Sequence, residues 1–224
     1  MRIKTVDLTR KFHVGSSEII AVNKVNMEVK ESTFIAIVGP SGSGKSTLLN
    51  LLGLNDQPTR GKILLGNVDA SLLPNQERRK IRLLCMGFVF QTFNLLPTLT
   101  ALENVELPLA LAGQPFEEQR SKATKLLESV ALENRLHHRP KELSIGEMQR
   151  VAIARAIAND PKILLADEPT GELDSKTAEE IISLILDINK KQKTTTVVAS
   201  HDLKIIEAAD ITYTIEDGKL ELET

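Results

Sequence analysis

Gly39-Pro40-Ser41-Gly42-Ser43-Gly44-Lys45-Ser46, directly after the apolar run Phe34-Ile35-Ala36-Ile37-Val38, decides how the rest of the chain is read. A short apolar run ended by a Gly/Ser-rich turn predicts a buried strand, and Thr47-Leu48-Leu49-Asn50-Leu51-Leu52 predicts a helix after it. Gly39, four intervening residues, then Gly44-Lys45-Ser46 is the spacing of a triphosphate cradle, in which small residues let successive backbone amides turn inward. Gly39, Pro40, Ser41, Gly42, Ser43, Gly44, Lys45, Ser46 and Thr47 are therefore candidate phosphate contacts. Lys45 adds a cation, the helix adds the positive end of its dipole, and Ser46 offers a hydroxyl to magnesium. The plain alternative, a flexible turn between strand and helix, does not account for the flanking context.

A second feature lies far downstream. Ile163-Leu164-Leu165-Ala166-Asp167-Glu168 is an apolar strand ending in two carboxylates. Alone, such a pair reads as a solvated strand cap. Ligands of parallel sheets gather at the carboxyl ends of strands, which would bring the pair to the cradle. Successive strand residues point in opposite directions, so Asp167 is expected in a magnesium shell and Glu168 facing the γ-phosphate, polarising a water.

The 224 residues suffice for one globular unit with a smaller lobe, and the hydrophobic share of 42% and charged share of 26% are ordinary. A net charge of -2 implies no broad basic field, so nucleic acid is not expected as a partner. A single cysteine, Cys85, permits no internal disulfide and reads as a small core residue. The N-terminus alternates polar and apolar residues without a secretory apolar stretch. The apolar region from Leu95 to Gly113 is interrupted by Pro97, Glu103, Glu106 and Pro108, so membrane contact is expected to be peripheral or through another chain.

Residues 2–8, 19–30 and 34–38 read as strands, with a turn at His13-Val14-Gly15-Ser16-Ser17. Further strands are expected at 61–66 and 86–90. Helices are expected at 101–107, 117–130 and 147–158. Then come a strand at 162–166, a helix at 176–190 with Ala178, Ile181, Ile182, Ile185 and Ile188 on one face, a strand at 195–199, a short helix and a hairpin around Glu216-Asp217-Gly218. Such alternation predicts an α/β fold with a mainly parallel sheet covered by helices.

Here the chain resembles the nucleotide-binding subunits of ATP-binding-cassette (ABC) transporters, over essentially its whole length. Phe88-Val89-Phe90-Gln91 resembles the Q-loop, Leu143-Ser144-Ile145-Gly146-Glu147 the signature sequence, Gly171-Glu172-Leu173-Asp174-Ser175 the D-loop, and Ser200-His201-Asp202 the switch histidine. Phe12 stands where the family keeps an aromatic that stacks on adenine. The resemblance implies a P-loop NTPase core of about 1–91 and 160–224, with an N-terminal antiparallel β subdomain and a helical subdomain inserted at about 92–159. It also implies ATP and Mg2+ as ligands, Gln91 reaching magnesium and the attacking water, and His201 contacting the γ-phosphate. Two copies would dock head to tail, each ATP gripped by the cradle of one and by Ser144, Gly146 and Glu147 of the other, with Asp174 nearby. Hydrolysis would rest on Glu168, His201, Lys45 and Gln91.

The signature departs from the common Leu-Ser-Gly-Gly-Gln. Ile145 demands an ordinary backbone conformation, and Glu147 keeps an acceptor for a ribose hydroxyl while adding charge near a polyphosphate. Gly87 to Val105 looks closest to the ATPases of lipoprotein release, macrolide or peptide export and the related cell-division complex. An integral membrane permease is the implied partner, docking against Phe93 to Leu107, and the implied location is the cytoplasmic face of the membrane. A non-transport ABC ATPase or a regulatory nucleotide-binding module are the alternatives. The first commonly carries long insertions or a second cassette, and intact Glu168 and His201 speak against the second.

Overall fold

The structure, a computed structural model, describes residues 1–15 and 17–223; Ser16 of the expected 13–17 turn lies outside them. In chain order the first half holds β1 (Ile3–Val14), β2 (Ser17–Val29), β3 (Phe34–Val38), α1 (Lys45–Leu52), β4 (Arg60–Leu65), β5 (Val68–Asp69), α2 (Asn75–Cys85) and β6 (Met86–Val89). Next come the helices α3 (Ala101–Leu111), α4 (Phe116–Ser129) and α5 (Ile145–Ala156). The last third holds β7 (Ile163–Asp167), α6 (Ser175–Gln192), β8 (Thr195–Ala199), α7 (Leu203–Ala208), β9 (Ile211–Glu216) and β10 (Lys219–Leu222).

Two sheets result. One is antiparallel, in the order β2-β1-β4-β5, with Ile3 opposite Val29 and Leu65. The other has the order β10-β9-β3-β8-β7-β6, parallel throughout except for the β9–β10 hairpin. The central strands β3, β7 and β8 are buried almost end to end, as expected of strands covered on both faces. Alternation along β3 sends Ile35 and Ile37 into a core shared with the antiparallel sheet and with Leu48, Leu51 and Leu52 of α1. Phe34 and Ala36 face the opposite side, against Ile181, Ile185 and Ile188 of α6.

A third apolar cluster joins α3, α4 and α5 through Leu102, Val105, Leu109, Leu127, Val151 and Ala154. Helix α5 belongs to two cores at once, because Ile153 and Ala156, with Ile157 just past its end, pack against the sheet. Several local readings differ from expectation, among them β1 and β2, which run to Val14 and from Ser17, into the expected 13–17 turn. Helix α3 runs past Pro108 to Leu111, and α2 was not expected at all: its buried side chain is Arg78, with Ile81 only partly buried against the core. Arg78 and Arg82 donate to the carbonyl of Leu54 at 3.0 and 2.6 Å. Cys85 is half-buried rather than enclosed.

Candidate active site

The loop between β3 and α1 crosses the carboxyl end of the parallel sheet. Gly44 sits at φ 112, and a Cβ there would lie 2.2 Å from the carbonyl oxygen of Ala21, so β2 and the loop approach too closely for any side chain. A cavity of about 520 Å3 opens over it. Ala21, Gly39, Pro40, Ser41, Gly42, Gly44, Lys45, Ser46, Thr47, Gln91, Glu168, Gly171 and His201 line this space, joining five separate stretches of chain. Ser43 is buried beneath the loop, its amide donating to Pro40 O at 3.3 Å and its carbonyl accepting from Gly218. Lys45 Nζ donates to the carbonyls of Gly39 and Pro40 at 2.7 and 3.2 Å and lies 3.7 Å from Glu168 Oε1.

The two acids part here: Glu168 lines the cavity and Asp167 does not. Strand β7 ends at Asp167, and Glu168 adopts φ 46, a left-handed conformation costly for a residue of this size. Its amide donates to Ala199 O at 2.8 Å, which holds this turn against β8. Thus the backbone twist, rather than strand alternation, brings Glu168 to the cavity. Glu168 Oε2 lies 3.0 Å from His201 Nδ1, yet without hydrogen-bond alignment, and remains a buried oxygen with no hydrogen bond. Asp167 Oδ1 is likewise buried and unpartnered. Burial pushes the Asp167 carboxyl above its ordinary value, opposed by the Ser46 hydroxyl and reinforced by the charge of Glu168. An orphaned carboxylate oxygen beside a serine hydroxyl is a hard-oxygen donor set, which fits magnesium.

Gln91 reaches the same space from the end of β6, its side-chain amide donating to Glu172 Oε1 at 3.3 Å. Asp174 instead caps α6: its carboxylate accepts from the amides of Lys176 and Thr177 and from Thr177 Oγ1, which holds the acid below its ordinary value.

Phe12, Ser144, Gly146, Glu147 and Asp174, all expected ligands, do not line this cavity. Ser144, Gly146 and Glu147 open α5, where Ser144 Oγ accepts from Glu147 N and Glu147 Oε2 accepts from Ser144 N, a closed capping box. Ile145 enters the helix without a left-handed backbone and is 48% exposed. A Cβ on Gly146 would meet Thr177 Cγ2 at 2.6 Å, so the signature turn packs directly on the start of α6. Phe12 lies on β1, partly exposed, with the Arg10 guanidinium 4.5 Å over its ring.

Sequence reasoning missed several residues that shape the site. Ala21 enters it only through a long-range strand contact, which no local pattern announces. Glu147 is engaged by Arg135 Nε at 2.7 Å, so the added charge at the signature is already paired. Gln149, fully buried, donates to Pro169 O at 2.8 Å, directly beside Glu168. A glutamine at a position where the helix otherwise points inward was the available signal.

Comparison with known proteins agrees with this geometry. The ABC transporter family model matches residues 22–171. An uncharacterized ABC transporter ATP-binding protein of Thermotoga maritima is 48% identical over 219 residues, covering 98% of this chain and 93% of the relative. The lipoprotein-releasing system ATP-binding protein LolD of Legionella pneumophila is 46% identical, covering 95% and 94%. The macrolide export ATP-binding/permease protein MacB of Brucella melitensis is 43% identical over 99% of this chain, which spans 34% of that longer protein. Among solved structures, the dimeric post-hydrolysis state of the ATP-binding cassette MJ0796 bound to ADP and Pi superposes with a TM-score of 0.93 at 44% identity, covering 99% of this chain and 98% of its own. With its cradle, its acidic strand end and its matched sequence in agreement, the chain belongs to the ABC transporter family and is an ATP-binding, ATP-hydrolysing cassette.

Proposed function

We propose that this chain powers a separate integral membrane permease, of the type that releases lipoproteins or exports macrolides, peptides or other amphipathic substrates, by ATP-driven closure of a homodimer at the cytoplasmic face of the membrane. The observation that carries this reading is the convergence of Lys45, Gln91, Glu168 and His201 on one cavity, with the buried, unpartnered oxygens of Asp167 and Glu168 beside it.

Lys45 exchanges its two loop carbonyls for phosphate oxygens when a triphosphate enters, and the amides of residues 39–47 complete the cradle. Ser46 and Asp167 would hold magnesium, with Gln91 in reach; bound there, the ion would neutralise charge on the β- and γ-phosphates. Glu168 orients a water for in-line attack and accepts its proton, while His201 contacts the γ-phosphate and keeps Glu168 in place. Phe12 stacks on adenine. The cavity of one copy lacks Ser144, Gly146 and Glu147, which its partner supplies in a two-fold arrangement with Asp174 at the seam. No helix among the described residues is long and apolar enough to cross a membrane. A cleft of about 260 Å3 lined by Phe88, Phe90, Leu107, Pro108 and Leu111 offers the permease a docking place near the Q-loop.

Glu168→Gln tests the reading, since it keeps shape and removes the base. The variant should bind ATP, hydrolyse it about 100-fold or more slowly and elute as an ATP-dependent dimer. A fully active, monomeric Glu168→Gln protein would overturn it.

A further inference from the structure

The segment after Gln91 has no helix or strand until Ala101, yet it is held firmly by side chains from elsewhere. Phe93 and Asn94 both adopt left-handed backbone, at φ 59 and 49. Two consecutive residues other than glycine do not hold such a conformation unless the surroundings impose it. Arg155, in the last turn of α5, does so: Nη2 donates to Phe93 O at 2.7 Å and Nη1 to Asn94 O at 2.5 Å. Among the described residues Arg155 has no carboxylate partner, so its charge is directed to these two carbonyls. Burial disfavours that charge, and such desolvation is offset only while both carbonyls stay in place.

The other end of the segment is fastened separately. Asn104, fully buried, accepts from Leu96 N and donates to the carbonyls of Leu96, Leu99 and Thr100. Helix α5 is itself tied to the turn carrying Glu168 through Gln149 and Pro169. The same helix therefore grips the chain on both sides of the cavity, six residues apart.

We infer that Arg155 is a positioning residue for Gln91: by holding Phe93 and Asn94 in their left-handed turn, it keeps Gln91 in register with Glu168, and it makes that register depend on the placement of α5. Because α5 begins at Ser144, a second copy that engages Ser144 acts at one end of a rigid helix whose other end sets the position of Gln91. This rests on the proposed roles of Gln91 and Ser144.

The test is a double-mutant cycle on ATP hydrolysis by the full chain. Arg155→Met should lower kcat about tenfold while KM for ATP changes less than twofold, since the nucleotide contacts lie elsewhere. In a Gln91→Ala background the same substitution should change kcat less than twofold. Asn94→Gly, which adopts the left-handed turn freely, should restore several-fold of the activity lost in Arg155→Met. Should Arg155→Met fail to fold by circular dichroism, Asn94→Ala replaces it; the guanidinium stays, the turn becomes costlier, and a two- to threefold fall in kcat is expected, again absent with Gln91→Ala. Effects that multiply independently, or a kcat unaffected by Gln91→Ala alone, would overturn the inference. The ATPase reading would still stand if Glu168→Gln abolishes hydrolysis.

Discussion

At the carboxyl end of β7 the groups proposed to handle a γ-phosphate crowd together: Lys45 and His201 stand 3.7 and 3.0 Å from the two oxygens of Glu168, and buried carboxylate oxygens remain without hydrogen bonds. At the start of α5 the opposite holds. Ser144 and Glu147 satisfy each other, Arg135 pairs the remaining carboxylate oxygen, and the turn faces outward with Ile145 exposed. One region is electrostatically incomplete and needs a cation and an anion; the other is locally complete and needs only a surface to meet. A cassette built this way gains its largest ligand-linked stabilisation at the cradle, whereas the signature can remain a formed helix end whether or not a second copy is present.

The largest effect should come from disturbing the incomplete region. Asp167→Asn replaces a buried carboxylate by a neutral amide of the same shape, removing an unfavourable burial and a repulsion with Glu168. Magnesium-dependent hydrolysis should fall about 100-fold or more. Yet thermal melting of the nucleotide-free protein in EDTA at neutral pH should occur at a higher temperature than in the parent. A lower melting temperature would mean that Asp167 is a structural acid rather than one held in readiness for a cation.

Ser144 separates capping from recognition in the complete region. Ser144→Ala should cost about 1 kcal/mol of stability, whereas Ser144→Gly should cost only a few tenths, because glycine is a tolerated N-cap. Both should lose the ATP-dependent dimer equally if the hydroxyl meets the partner's nucleotide, with binding of ATP to the single chain unchanged. If dimer formation by gel filtration tracks the stability loss instead, Ser144 serves only the helix.

This contrast explains what the sequence discloses and what it conceals. The cradle is a contiguous motif whose chemistry is dictated by residue type and spacing, so Gly39 to Thr47 could be placed beforehand, as could the apolar strands β3, β7 and β8. Glu168 was legible as an acid at a strand end, but its left-handed turn was not, because nothing in Asp167-Glu168-Pro169 announces a positive φ. Helix α2 was hidden by its composition: its arginines anchor it by donating to carbonyls at the end of the α1 segment, which defeats a search for apolar periodicity. The contacts of Gln149, Arg155 and Asn104 are side chain to backbone across 20, 62 and up to 8 residues, and such pairings become visible only once the fold has brought the partners together.

Glu147 offers the smallest effect and the finest test of the comparison. Sequence alone suggests an unbalanced negative charge facing a polyphosphate, whereas the fold shows a carboxylate bound by the Ser144 amide at 2.8 Å and by Arg135 at 2.7 Å. The Ser144 amide, more than Arg135, holds this acid below its ordinary value, against a smaller opposing effect of burial. A carboxyl whose folded value is depressed stabilises the fold above its unfolded value, and the contribution disappears as pH falls through the folded one. Glu147→Gln keeps a capping oxygen but cannot ionise, so it should lose under about 1 kcal/mol at pH 7, in keeping with a partly exposed pair. The melting difference between the two proteins should shrink steadily as the pH drops below 4.5, the ordinary value for this acid. Equal melting at pH 7 together with faster hydrolysis in the variant would instead mean that Arg135 leaves the charge of Glu147 exposed to the partner's nucleotide, and that the region is less complete than its hydrogen bonds indicate.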